Sequence, residues 1–127
     1  MTNWAIPSDK IPTGGWTEEE SIKLAKVLAK KGVDLVDCSA SGNSPKQQIL
    51  LSPGYQVRFA MAIKQEALEM LAGAIRLITN AKQANNIVED ERADLVFFAR
   101  ALLHDPNVVL NGAVGLGVFA QYPHQYE

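Results

Sequence analysis

Apolar residues recur along this chain at two periods, and the alternation between them sets the expected architecture. Ile22, Ala25, Leu28 and Ala29 stand three or four apart, with Lys23, Lys26, Lys30 and Lys31 free to face water, which is the stripe of an amphipathic helix. Thr17 and Glu20 make a T-x-x-E capping box at its start, and Gly32 supplies a stop. Residues 33–38 form a short apolar-rich run ahead of the turn-forming stretch 39–45 and predict a strand. Val57, Ala60, Ile63, Ala67 and Met70 then mark one side of a second helix over residues 56–71, followed by a strand over residues 72–78. Asn80 can cap a third helix through Val88, whose apolar side is Ala81, Ala84, Ile87 and Val88. Residues 95–99 are apolar throughout, as suits a strand buried on both faces of a parallel sheet. Asp105 ahead of Pro106 places a capping residue before a proline fitted to a first helical turn, which predicts a last helix including residues 108–114.

Strands alternating with helices through short connections mean repeated parallel crossover units, hence an α/β fold. Residues 2–15, with Pro7, Pro12, Gly14 and Gly15 and no sustained period, read as a loop entering the first helix. No internal repeat or low-complexity segment divides the chain, so residues 1–127 are expected to form a single domain. At 127 residues it is well short of the roughly 250 usual for a complete eight-stranded α/β barrel.

Composition narrows the function classes. Hydrophobic residues at 47% and charged residues at 20% are ordinary for a chain that buries a core. Twelve basic against fourteen acidic residues, a formal charge of -2, leave no footprint for nucleic acid or an anionic membrane surface. No stretch approaches the roughly 20 apolar residues of a membrane span, and no export signal opens the sequence. The one cysteine, Cys38, excludes an intrachain disulfide and fits a reducing compartment, so a cytoplasmic protein is expected. With no histidine or basic cluster beside it, Cys38 reads as a small buried hydrophobe. His104 and His124 lack neighbours at metal-ligand spacing. Asp34 and Asp37, three apart on a strand, point to opposite faces and cannot work as a paired acid and base. Trp16 and Tyr55 read as anchors of loops onto the body.

Four stretches carry a resemblance: Gly14-Gly-Trp-Thr17, Gly32-Val-Asp-Leu-Val-Asp-Cys-Ser39, Ser52-Pro-Gly-Tyr-Gln-Val57 and Arg92-Ala-Asp-Leu-Val-Phe-Phe-Ala-Arg-Ala-Leu-Leu-His-Asp-Pro106. Together with the terminal Tyr122-Pro-His-Gln-Tyr-Glu127, they resemble the C-terminal third of the old yellow enzyme family, in particular its bacterial and fungal branch of FMN-dependent NADPH dehydrogenases. The resemblance implies a partial TIM barrel in which the three predicted strands are strands six, seven and eight with their helices. It also implies FMN as cofactor and NAD(P)H as reductant.

In that family the flavin phosphate is held by amides after strand seven and by a glycine-arginine pair ending strand eight. The matching positions are Gly73 to Leu77, with Arg76 in the middle of the loop, and Ala99 with Arg100. Arg100 is the foremost candidate, because a guanidinium fork can give a phosphate two charge-assisted hydrogen bonds. Its alternative is an arginine paired with an acidic neighbour such as Asp105. The family usually has glycine where Arg76 and Ala99 stand, and Arg76 would either obstruct the loop or add a charge to it. The segment 67–73 lacks the family's proline-containing turn. The family's flavin-ring contacts, substrate-binding histidine pair and proton-donating tyrosine have no counterpart in this sequence. The expectation is therefore an oxidoreductase fragment with part of the FMN phosphate site, inactive alone and with no catalytic residue of its own. The alternative is a non-catalytic interaction or structural module that self-associates or pairs with a complementary barrel fragment.

Overall fold

The computed structural model describes residues 16–39 and 51–126. The expected loop at 2–15 and most of the turn at 39–45 lie outside the described residues. The first helix, α1 (Glu18–Ala29), opens on the capping box read from the sequence: Glu20 N–H donates to Thr17 Oγ1 at 3.2 Å, and Thr17 N–H donates to Glu20 Oε2 at 2.7 Å. It closes as the glycine foretold. Gly32 at φ 81° turns the chain left-handed, and the amides of Gly32 and Val33 donate back to Ala29 and Leu28, a Schellman-type closure. Trp16 is tied down from the other side, its Nε1–H donating to Ser21 Oγ at 2.9 Å.

Beyond α1 the order is β1 (Leu35–Asp37), α2 (Val57–Glu66), β2 (Leu71–Ala74), α3 (Ala81–Glu89), β3 (Leu95–Val96), α4 (Arg100–His104) and α5 (Val108–Gly115), with a 3-10 turn at His124–Tyr126. The strands form a parallel sheet in the order β1-β2-β3, with Leu35 opposite Leu71, Gly73 opposite Leu95 and Ala74 opposite Val96. The α/β alternation and the parallel sheet are as the pattern predicts; several boundaries are not.

The second helix stops at Glu66, five residues before the expected end. Leu71 must already be extended there to donate its N–H to Asp34 O at 2.9 Å, so residues 67–70 turn, with Met70 N–H bonded to Ala67 O. Ala67 and Met70 keep their helical-stripe role only as buried side chains of that turn. The strand expected over 72–78 ends at Ala74 because Arg76 (φ 86°) and Leu77 (φ 49°) take a left-handed conformation that no strand contains. The strand expected over 95–99 is two residues long, and α4, which no periodicity announced, begins at Arg100.

The core lies between one face of the sheet and the helices. Val36, Ala72 and Ala74 from the strands meet Phe59, Ala60, Ile63 and Ala67 on the α2 side and Ile87 and Ala93 on the α3 side, all buried. Small residues along β2 let α2 lie close against the sheet. Cys38 belongs to this core at 2% exposure, and burial pushes its thiol up to about 12, with the Asp37 carboxylate adding to the rise. We expect the native protein to resist an aromatic disulfide reagent at pH 8 and to react fully, one thiol per chain, only in denaturant. Rapid stoichiometric reaction of the folded protein would contradict this placement. No helix among the described residues is long and apolar enough to cross a membrane.

Candidate functional site

In a parallel α/β sheet the loops leaving the C-terminal ends of the strands converge at one edge, where ligands are usually held. Three such ends are brought together here. Asp37 ends β1, the loop 75–80 leaves β2, and the segment 97–99 leaves β3 into α4. The last two are stitched at their start, Phe97 N–H donating to Ala74 O at 2.8 Å.

Of the five candidates, Gly73 is not in a loop. It lies within β2, buried and paired to Asp37 and Leu95, and its missing side chain is filled by the ring of Phe97: a Cβ there would stand 2.1 Å from Phe97 Cε2. Arg76 and Leu77 do occupy the loop. The φ of 86° at Arg76 is a conformation glycine takes freely and arginine only at a cost of about 1–2 kcal/mol. Where the resembling family has glycine, this chain has kept the glycine-like bend and added a cation to it. The Arg76 Nε is buried with no hydrogen-bond partner. Leu77 O accepts from Gln83 Nε2 at 3.0 Å, which fixes the far side of the loop to α3, and α3 starts at Asn80, whose Oδ1 caps Gln83 N–H at 2.9 Å.

Ala99 and Arg100 do not end a strand. Ala99 is the residue before α4, with φ -118° and therefore no demand for glycine, and Arg100 is the first residue of the helix; both are exposed. The pairing of Arg100 with Asp105 does not form. Asp105 instead organises the start of α5, its Oδ1 accepting from Asn107 N–H at 2.9 Å and its Oδ2 from Asn111 Nδ2 at 2.8 Å. Asp105 thus acts as a capping side chain, but two residues outside the N-cap position expected of it, since the residue before α5 is Asn107.

The sequence did not link Asp37 to Arg76. Asp37 is half-buried, with Oδ1 buried and unpartnered; burial raises its pKa, and the Arg76 charge pulls the other way. That opposition depends on the left-handed turn at 76–77, which no sequence pattern announces. The site therefore sets the Arg76 charge against a carboxylate whose pKa burial raises, with Arg100 exposed at the start of α4. Arg76 and Arg100 can each offer an anion hydrogen-bond donors and positive charge. Among the described residues, no group of three or more His, Cys, Asp and Glu side chains is placed to hold a metal ion.

A parallel α/β layer with basic side chains at the C-terminal ends of its strands defines a class rather than one protein. Its relatives are specific. The chain is 44% identical over 122 residues to an NADPH dehydrogenase of Halalkalibacterium halodurans, a match covering 96% of this chain and 36% of that protein. It is 43% identical over 108 residues to an NADPH dehydrogenase of Bacillus velezensis, with 85% and 31% covered. With an NADPH dehydrogenase of Bacillus cytotoxicus it shares 38% over 121 residues, with 95% and 34% covered. No family model matches the chain. The chain belongs with these old yellow enzyme-like oxidoreductases and spans about a third of the length of the relatives it matches.

Proposed function

We propose that this chain is the phosphate-binding part of an FMN-dependent NAD(P)H oxidoreductase, a single unit supplying strands six to eight of a (β/α)8 barrel. The observation that carries the reading is Arg76: a cation with a buried, unpartnered Nε, held in a strained left-handed turn at the C-terminal end of a parallel strand. Strain of this kind persists where a site uses it. Arg100, exposed at the start of α4, is the second cationic contact, and Leu77 and Ala99 shape the backbone beside them. Gly73 belongs to the site indirectly, by giving room to the Phe97 ring that leads into Ala99 and Arg100.

Bound FMN supplies the hydride-accepting and hydride-donating chemistry between a nicotinamide and a substrate. What these residues contribute is attachment and neutralisation of the phosphate charge. The chain matches only 31–36% of the lengths of its relatives, and on this reading the chain alone should not turn over NADPH. Its setting is taken to be the cytoplasm, in keeping with one buried free thiol.

The test is titration of the chain with FMN, followed by quenching of flavin fluorescence, with riboflavin as the ligand lacking the phosphate. Arg100→Ala should weaken FMN binding about tenfold or more, the usual worth of a charge-assisted hydrogen bond. Arg76→Gly should weaken it too while raising thermal stability, because it removes both the cation and the strain. Equal affinity for riboflavin and FMN, or binding untouched by both substitutions, would remove the phosphate site. Vigorous NADPH oxidation by the pure chain would refute its inactivity.

A second reading, a non-catalytic interaction module, is favoured by one observation: the face of the sheet opposite the helices carries large apolar side chains exposed to solvent.

A further inference from the structure

Helix α2 packs on α1 and α3 packs on α5. Between α2 and α3 lies a cavity of about 450 Å³, within the range of about 300–1,000 Å³ that holds small organic molecules. Its apolar lining comes from Pro53 and from the core residues Val57 and Ile87. The polar lining is held in place by bonds of its own. Gln83 Oε1 accepts from Thr79 N–H at 3.1 Å while its Nε2 donates to Leu77 O at 3.0 Å, so both ends of that amide are occupied. Asn80 commits its Oδ1 to the Gln83 N–H at 2.9 Å, and what it has left to offer is its Nδ2 donors. Gly54, at φ 67°, brings the α2 side close to this amide: a Cβ there would stand 3.1 Å from Val57 Cγ2 and 3.5 Å from Gln83 Nε2. Arg92 adds the charge. Its amide donates to Ile87 O at 3.0 Å and one Nη meets Asp90 at 3.1 Å, whereas its Nε is buried without a hydrogen-bond partner. A buried cationic donor favours an acceptor beside it.

We propose that this cavity binds a small organic carboxylate with an apolar body, at a site separate from the flavin phosphate contacts. Charge selects the head group. Arg92 and Asn80 bring donors, and none of the described lining residues is acidic, so a negatively charged acceptor is matched and an ammonium group or a metal cation is not. The apolar lining selects the body. Pro53, Val57 and Ile87 give water nothing to bond and favour contact with hydrocarbon, which a bare inorganic anion cannot supply. A carboxylate is preferred to a phosphate ester because the lining holds one cationic side chain, and that one already shares an Nη with Asp90. A single guanidinium can balance a monoanion and falls short of a dianion. The residues assigned to the flavin phosphate, among them Arg76 and Arg100, do not line this cavity. The inference therefore stands apart from the flavin reading.

The experiment is titration of the full 127-residue chain with octanoate, followed by amide chemical shifts. Saturable shifts are expected at Gly54, Val57, Asn80, Gln83 and Arg92. Octanol has the body without the charge and inorganic phosphate the charge without the body, so each should bind at least about tenfold more weakly. Arg92→Met, which keeps an unbranched apolar stem, should bring octanoate down to the level of octanol. Asn80→Asp guards against a merely structural effect. Aspartate caps a helix as well as asparagine does, so the thermal midpoint should hold, while the new negative charge should weaken octanoate at least about threefold. Absence of saturable shifts at these residues overturns the proposal. So does octanol or phosphate binding as tightly as octanoate, or a folded Asn80→Asp chain that binds octanoate unchanged. Excess FMN should leave octanoate in place; displacement would make the cavity part of the flavin site and overturn its separateness. A chain that ignores FMN and still saturates with octanoate would leave this site standing and count against the flavin reading only.

Discussion

Replacing Asp94 with alanine should lower the stability of the fold by about 2–4 kcal/mol, or roughly 10–20 °C in the thermal midpoint for a domain of this size. The reason is where its carboxylate sits. Oδ2 accepts from Ala72 N–H at 2.8 Å, and Oδ1 accepts from Lys64 Nζ at 2.6 Å. Asp94 N–H in turn donates to Ala72 O at 2.8 Å, so one residue closes a reciprocal pair with the start of β2 and reaches α2 as well. Ala72 is fully buried, and its donor would be left without a partner. Both charged side chains are mostly shielded, at 28% and 21% exposure, whereas the Lys26–Glu66 pair at 3.0 Å is 45% and 58% exposed. The exposed pair should contribute no more than about 0.5 kcal/mol, so Glu66→Ala is the control. Asp94→Asn, which can keep the acceptor for Ala72 N–H and loses the charge, should fall between the two. Chemical denaturation of the three variants decides it; equal effects for Asp94→Ala and Glu66→Ala would show the carboxylate to be ornamental.

The same residue gives the fold an acid limit. Burial by itself would raise the Asp94 pKa, but the hydrogen bonds from Lys64 and Ala72 together with the Lys64 charge hold it below the ordinary value of 3.8. A carboxyl depressed in the folded state stabilises the fold fully above its unfolded pKa and progressively less as pH falls through the folded one. The contribution of Asp94 should therefore be intact at pH 5 and above and decline below about 4. Asp37 acts in the opposite sense. Its raised pKa means that ionisation above the ordinary carboxylate range works against folding, and protonation relieves it.

What was legible in the sequence followed from local rules. The Thr17 and Glu20 box, the Gly32 stop and the Asn80 cap each satisfy backbone groups within a few residues, so their residue types reveal them directly. The parallel α/β order followed from the two periods. What could not be read was set by contacts distant in sequence. Helix α2 ends at Glu66 because Leu71 pairs with Leu35 and donates to Asp34, a constraint written more than thirty positions away. The strand carrying Gly73 is short because Arg76 and Leu77 turn left-handed, and neither residue type signals that conformation. Arg100 was expected at a strand end and begins a helix, because β3 pairs for only two residues. The candidate site was thus visible as a list of residues and invisible as a geometry. The opposition of Asp37 and Arg76 is the clearest case.

Gly73→Ala tests that geometry at its tightest point. Glycine inside a strand ordinarily weakens it, so alanine should stabilise β2 by local preference. Packing reverses the sign here. The added Cβ would meet Phe97 Cε2 at 2.1 Å, Cδ2 at 3.0 Å and Cζ at 3.1 Å, so the ring must leave its place above the strand. Overpacking of this kind costs about 1–3 kcal/mol. The backbone at Gly73 is not left-handed, so the cost comes from the ring and should vanish with it. In a Phe97→Leu background, where the contacting Cε2 is gone, Gly73→Ala should be close to neutral, a coupling of at least about 1 kcal/mol in a double-mutant cycle. Additive effects would place the clash elsewhere. Because Phe97 is anchored to Ala74 O and runs directly into Ala99 and Arg100, a displaced ring should also move the start of α4. FMN affinity should then fall in Gly73→Ala and recover in the double variant. That recovery would mark the pairing of Gly73 with Phe97 as the device that sets Arg100 in place.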